Sequence, residues 1–180
     1  KFFARGGVKL DDSLEDAIED RMGEEWQRPV GDKVGRIIDQ HHAVDSYIAH
    51  LVKSLRAEKP LAGLTIVLDC ANGASYETAI AAFEAAGASV TAIHASPDGI
   101  NINAGCGSTH PEDLQKAVLS SSADLGLAFD GDADRCLAVD HEGNLVDGDQ
   151  ILAILALALQ EDHRLASNTV VATVMSSLGL

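Results

Sequence analysis

Between residues 64 and 160 the chain alternates short apolar runs with helical segments, and this alternation confines it to the α/β class. Leu64-Thr65-Ile66-Val67-Leu68 is nearly continuously apolar, the pattern of a strand covered on both faces. Asp69-Cys70-Ala71-Asn72-Gly73 interrupts it, and an Ala-rich helix is expected from about Ala74 to Ala86, ended by Gly87. Val90 to Ile93 reads as a second strand, followed by a Gly- and Asn-rich loop from Ser96 to Gly107. Thr109-His110-Pro111-Glu112 has capping-box spacing for a helix to about Ser121. Leu125 to Phe129 and Cys136 to Val139 read as third and fourth strands, and Asp147-Gly148-Asp149-Gln150 caps a helix through about Gln160. The expected fold is α/β, a mostly parallel mixed sheet with helices on both faces. Ligands in such sheets sit at the carboxyl ends of the strands.

The flanks read differently. Ser13-Leu14-Glu15-Asp16 resembles a capping box, and Leu14, Ala17, Ile18 and Met22 make one apolar helical face. Gly23 to Gly35, with Pro29, reads as a linker. Val44, Tyr47, Ile48, Leu51, Val52 and Leu55 form the clearest amphipathic period of the chain, with Pro60 and Gly63 as its expected end. Ile151 to Leu159 is apolar all round, which predicts a buried helix. Lys1-Phe2-Phe3 and Thr169 to Met175 both read as strands whose partners are not in the sequence, so the chain is expected to be part of something longer.

Charge excludes whole classes of partner. Lys and Arg number 13 against 28 Asp and Glu, a net charge of −15. A field of that sign repels phosphate backbones and anionic bilayers, so neither nucleic acid nor a membrane surface is an expected partner. The excess is concentrated in residues 61–180, which hold 3 of the basic and 16 of the acidic side chains. Cys70, Cys106 and Cys136 lie too far apart for a disulfide framework, and no C-x-x-C or paired-His spacing points to zinc. A reduced, cytoplasmic protein is expected.

The segment that carries chemistry is Asp130-Gly131-Asp132-Ala133-Asp134-Arg135, which directly follows the apolar strand ending at Phe129. Crowded carboxylates raise one another's pKa unless a cation relieves them. An EF-hand would need Gly at its sixth position and Glu at its twelfth, where Arg135 and His141 stand. No thiol or imidazole accompanies the acids, so a hard cation, Mg²⁺, fits Asp130, Asp132 and Asp134 better than zinc. Its remaining coordination positions and the neighbouring Arg135 would suit oxygens of one phosphate. The residue types therefore point to Mg²⁺-assisted phosphoryl transfer.

The stretch Leu127 to Arg135 resembles the metal-binding loop of the phosphohexomutase superfamily. Further segments are similar to it: Lys1-Phe2-Phe3, Val67 to Ala74, Asn101-Ile102-Asn103, Cys106 to Glu112, and Leu145 to Gln150. Ala133 departs from it, since Gly is commoner there. The best match is with the branch that acts on hexosamine phosphates in amino-sugar metabolism. The resemblance implies a reaction through a phosphoserine and a bisphosphate intermediate. Mg²⁺ would be held by Asp130, Asp132 and Asp134, with Arg135 beside the phosphate and Lys1 assisting proton transfer. It divides the chain into the end of domain 1 with a linker (1–40), domain 2 with the metal loop (41–141) and the start of domain 3 (142–180). The serine loop, the sugar-selecting loop and the phosphate clamp would lie in missing parts of domains 1, 3 and 4, so the 180 residues alone are expected to be inactive. Mannose or glucose phosphates are the alternative substrates. A haloacid-dehalogenase-like phosphatase fits less well, because Asp134 stands where its motif has Thr and only 45 residues follow Arg135. A non-enzymatic metal-binding module is the remaining alternative.

Three conspicuous features invite structural readings instead. His110 sits in a helix-capping context, Asn72-Gly73 reads as a simple turn, and Cys106 has no basic neighbour in sequence to activate it.

Overall fold

The computed structural model describes residues 2–40 and 42–177. Lys1, one of the expected site residues, lies outside them. The chain divides into two compact units, residues 1–40 and 41–180.

In the first unit Phe3 and Lys9 form an isolated antiparallel bridge, closed by Leu10 N donating to Phe2 O at 3.0 Å. Within the described residues Phe2-Phe3 is thus part of a local antiparallel bridge. Helix α1 spans Asp12–Met22. Its cap is Asp11, not the expected Ser13: the Asp11 carboxylate accepts from Ser13 N at 3.1 Å and from the Ser13 hydroxyl at 2.9 Å. The serine hydroxyl is spent on that carboxylate and cannot cap.

The second unit carries the sheet. Helix α2 (His42–Lys53) precedes β1 (Thr65–Asp69), α3 (Ser75–Ala85), β2 (Ser89–Ile93), α4 (Glu112–Ser121), β3 (Leu125–Phe129), β4 (Cys136–Asp140), β5 (Leu145–Val146) and α5 (Gly148–Glu161). The strand order is β2-β1-β3-β4-β5. β1 pairs parallel with both β2 and β3, while β4 runs antiparallel to β3 and β5 to β4. This is the expected mixed α/β sheet.

Alternate residues of β1 fill two cores, one on each face. Ile66 and Leu68, with Cys70 just after the strand, pack with Ala79 of α3, and Val67 packs with Leu114 and Val118 of α4. Ile66, Val67 and Leu68 are at most 1% exposed, so each contributes about 1.5–3 kcal/mol by burial. α2 lies against α3, and α5 against β4.

Several expectations fail for identifiable reasons. α2 stops at Lys53, well before Pro60, because Ser54 and Leu55 switch to i→i−3 hydrogen bonds and the Ser54 hydroxyl takes the Leu51 carbonyl at 2.6 Å. Thr109 does not cap α4: residues Gly107–Thr109 form a 3-10 turn, and the cap position is Pro111 without a side-chain bond. At α5 the expected box is present, Asp147 and Gln150 capping each other reciprocally. That helix is not buried, however, and Ile154, Leu155 and Leu157 are more than half exposed. Residues 169–175 form no strand in the described structure. Among the described residues no helix is long and apolar enough to cross a membrane.

Candidate metal centre

The loop joining β3 to β4 leaves the sheet at the carboxyl end of the parallel strands, where the topology places a ligand site. It brings oxygens of Asp130, Asp132 and Asp134 within 4.8 Å of one another. The three expected ligands therefore converge. Asp130 is buried at 3% exposure, whereas Asp132 and Asp134 face solvent. Three carboxylate oxygens with open access fit a hard divalent cation.

Arg135 joins the same cluster. Its Nε donates to Asp130 Oδ2 at 2.8 Å, its backbone N to Asp130 Oδ1 at 3.2 Å, and its guanidinium lies 3.7 Å from Asp134. Burial alone would push the Asp130 carboxyl up, but the hydrogen bonds and charge of Arg135 outweigh it and hold Asp130 below its ordinary value. The guanidinium is correspondingly pushed up, chiefly by its bond to Asp130. Asp130 thus stays ionised despite its burial.

The loop is shaped by backbone contacts as much as by its acids. Ala133 N closes a turn on Asp130 O at 3.0 Å, with Ala133 at φ +57. That left-handed conformation is the reason a glycine would suit the position, and it costs alanine about 1 kcal/mol. Gly131 is closely surrounded. Its φ is not left-handed, but a Cβ there would come within 2.7 Å of both Ile102 Cδ1 and Asn103 Nδ2. On the other side Gly73 presses against the Gly131 backbone, and Ala74 N donates to Gly131 O at 2.9 Å.

The Asn72-Gly73 turn, read as merely structural, is therefore the platform beneath the aspartate loop. Its signal in the sequence is a pair of small residues directly after a strand that ends in an acid. A cleft of about 350 Å³ opens beside it, with Asn72, Gly73, Asn101, Ile102 and Asp132 among its walls. Ala71, Asn72, His94, Asn103 and Ala133 all take left-handed φ in the loops at this end of the sheet, a concentration of backbone strain typical of functional sites. His110 does not join the acids: it is exposed, with its amide on Gly107 O at 3.0 Å.

Residues 45–143 match the family model described as phosphoglucomutase/phosphomannomutase, alpha/beta/alpha domain II, and residues 147–180 match domain III of the same family. The chain is 72% identical over all its 180 residues to a phosphoglucosamine mutase of Cutibacterium acnes and 62% identical over 179 residues to one of Nocardioides sp., covering 40% of each relative. It therefore spans about two fifths of the length of these relatives. A crystal structure of a phosphoglucomutase/phosphomannomutase family protein from Burkholderia thailandensis superimposes on 67% of the chain at TM-score 0.55 and 28% identity, covering 26% of that protein. A putative phosphomannomutase from Thermus thermophilus, at 20% identity and TM-score 0.56, shares the fold over 66% of this chain and 29% of its own. On the sheet topology and these matches together, the chain belongs to the phosphoglucomutase/phosphomannomutase family, of which it spans α/β/α domain II and part of domain III.

Proposed function

We propose that this chain is the metal-binding part of a Mg²⁺-dependent phosphosugar mutase that interconverts glucosamine 6-phosphate and glucosamine 1-phosphate. The observation that carries the reading is the convergence of Asp130, Asp132 and Asp134 at the carboxyl end of β3. The identity to phosphoglucosamine mutases along the whole chain supports the choice of sugar. The two units and the two family-model matches support a division into the end of domain 1 (1–40), domain 2 (41–141) and the start of domain 3 (142–180).

When bound, Mg²⁺ would neutralise charge on a phosphoryl group and polarise its P–O bonds. The residues of this chain supply the setting. Asp130, kept ionised by Arg135, offers a buried anionic oxygen, and Asp132 and Asp134 offer two more from the solvent side. Arg135 is the hydrogen-bond donor next to them; exchanging one carboxylate contact for a phosphate oxygen would orient the transferring group. Gly73 and Gly131 hold the loop in place by close backbone contact. Lys1, proposed to assist proton transfer, lies outside the described residues. The group that stores phosphate between half-reactions belongs, in this reading, to residues outside 1–180.

The test is a coupled assay with glucosamine 6-phosphate and a glucosamine bisphosphate primer. It is run on the 180-residue chain and on a polypeptide of the relatives' full length that contains it. Expected is Mg²⁺-dependent turnover by the longer polypeptide, abolished in Asp132→Asn, and none by the chain alone. Faster turnover of mannose or glucose 6-phosphate would overturn the choice of sugar, and turnover by the chain alone would overturn the division of labour.

A further inference from the structure

Asp69, His94 and Cys106 come from the end of β1, the residue after β2 and the start of the turn before α4. A carboxylate oxygen, an imidazole nitrogen and the thiol of these residues lie within 4.8 Å of one another. We propose that they form a second metal site, separate from the aspartate loop, that takes a borderline-soft divalent cation such as Zn²⁺.

The donor set is the first argument. Carboxylate, imidazole and thiolate are the three ligand types of zinc sites, and three protein ligands leave a fourth tetrahedral position open. Bonds of ~2.0–2.3 Å need donors roughly 3.3–3.8 Å apart, and His94 Nδ1 already lies 3.1 Å from Asp69 Oδ2.

The second argument is an orphaned atom. Despite that short separation, the two atoms are not aligned as a hydrogen bond, and the buried His94 Nδ1 has no hydrogen-bond partner. Donors that share an ion aim their lone pairs at a third point and not at each other. A buried ring nitrogen without a hydrogen bond costs free energy, and a cation shared with the buried Asp69 carboxylate removes that cost.

The surroundings match what a metal-bound His and Cys need. Asp113 Oδ2 stands 3.8 Å from His94 Nε2, on the side where a carboxylate favours the tautomer with Nδ1 free to ligate. Asn72 Nδ2 points at Cys106 Sγ from 3.9 Å and would donate to a thiolate. Asp69 is held rigid by Ala71 N and Gly107 N, each at 2.9 Å. His94 adopts φ +47, fixed by Asn72 N on its carbonyl at 2.6 Å. Without a cation, burial and the charges of Asp69 and Asp113 push the Cys106 thiol up, so it is protonated at neutral pH. Binding would form the metal–sulfur bond and release that proton to solvent.

Co²⁺ is the probe, because cobalt bound to a thiolate shows a charge-transfer band in the near ultraviolet. The purified protein is titrated with Co²⁺ and the band is then competed with Zn²⁺. Expected is a saturable band at one equivalent, displaced by Zn²⁺, absent in Cys106→Ser and retained in Asp132→Asn. His94→Asn, which tolerates the left-handed backbone, should weaken binding about tenfold or more, with far-ultraviolet dichroism checking the fold of each variant. Absence of the band in the wild type, its survival in Cys106→Ser, or unchanged affinity in His94→Asn overturns the proposal and leaves the cluster as a lock between loops. The readout involves neither Mg²⁺ nor sugar phosphate, so its failure is distinct from failure of the mutase reading.

Discussion

Arg135 Nε lies 2.8 Å from Oδ2 of Asp130, the one fully enclosed carboxylate of the aspartate loop. An Arg in this position holds the acid ionised before any cation arrives. A hard cation therefore meets a charged site, and its competitor is a guanidinium instead of a proton. Arg135→Ala should leave the fold in place, since the Arg135 side chain is 68% exposed. In a full-length polypeptide it should cost far more activity than stability. Parallel turnover and urea-unfolding measurements decide this; equal losses in both would make the residue structural.

Removing one charged ligand should weaken the loop's hold on Mg²⁺. Asp132→Asn is expected to lower the affinity about tenfold, some 1.4 kcal/mol. Replacing Asp130, Asp132 and Asp134 together by Asn should abolish binding. Calorimetric titration with Mg²⁺ or Mn²⁺ measures both, and equal affinities across the series would remove the site.

Gly131 lies between the Gly73 turn and the side chains of Ile102 and Asn103. The extra methyl of Gly131→Ala should displace those two side chains at a cost of about 1 kcal/mol. Gly73→Ala, whose methyl would collide with the Gly131 backbone, should instead force the turns apart and destabilise the second unit by about 1–3 kcal/mol. Urea denaturation would register this, together with a loss of Mg²⁺ affinity as the loop is displaced.

Ala133 makes the opposite case. Its left-handed φ of +57 is unfavourable for a side chain. Ala133→Gly should relieve about 1 kcal/mol of strain, part of which the freer unfolded chain takes back. A rise in urea midpoint at unchanged m-value is the expected result.

Asp140 ends β4 and accepts hydrogen bonds from Glu142 N at 2.9 Å and from Asn144 N and Nδ2 at 2.8 and 3.1 Å. The Asn144 bonds are the main reason its carboxyl falls below its ordinary value of 3.8. A group whose pKa is depressed by folding stabilises the native state above its unfolded value, and that contribution disappears as pH falls through the lowered one. Wild type should therefore be more stable than Asp140→Ala at about pH 7, with the gap closing below about pH 4. A gap that widened with acid would contradict the sign.

The sequence by itself determined what depends on neighbours along the chain. The apolar run before Asp69, the Ala-rich helix ended by Gly87 and the reciprocal cap of Asp147 and Gln150 are local patterns, and all appear as read. The three acids after Phe129 are also local: i, i+2 and i+4 on one tight loop have little choice but to converge. What only the tertiary structure decided depends on register and on competing partners. Whether Ser13 or Thr109 caps a helix turned on which neighbouring group reached the hydroxyl or the backbone first. The apolar composition of α5 could not say what would cover Ile154 and Leu157, because burial belongs to a pair of surfaces and not to one helix. Asp69, His94 and Cys106 show the limit most clearly. They are separated by 24 and 11 intervening residues and match no ligand spacing. They meet because β1 pairs in parallel register with β2, Asp69 opposite Ile93, which brings the loops that follow the two strands to the same end of the sheet.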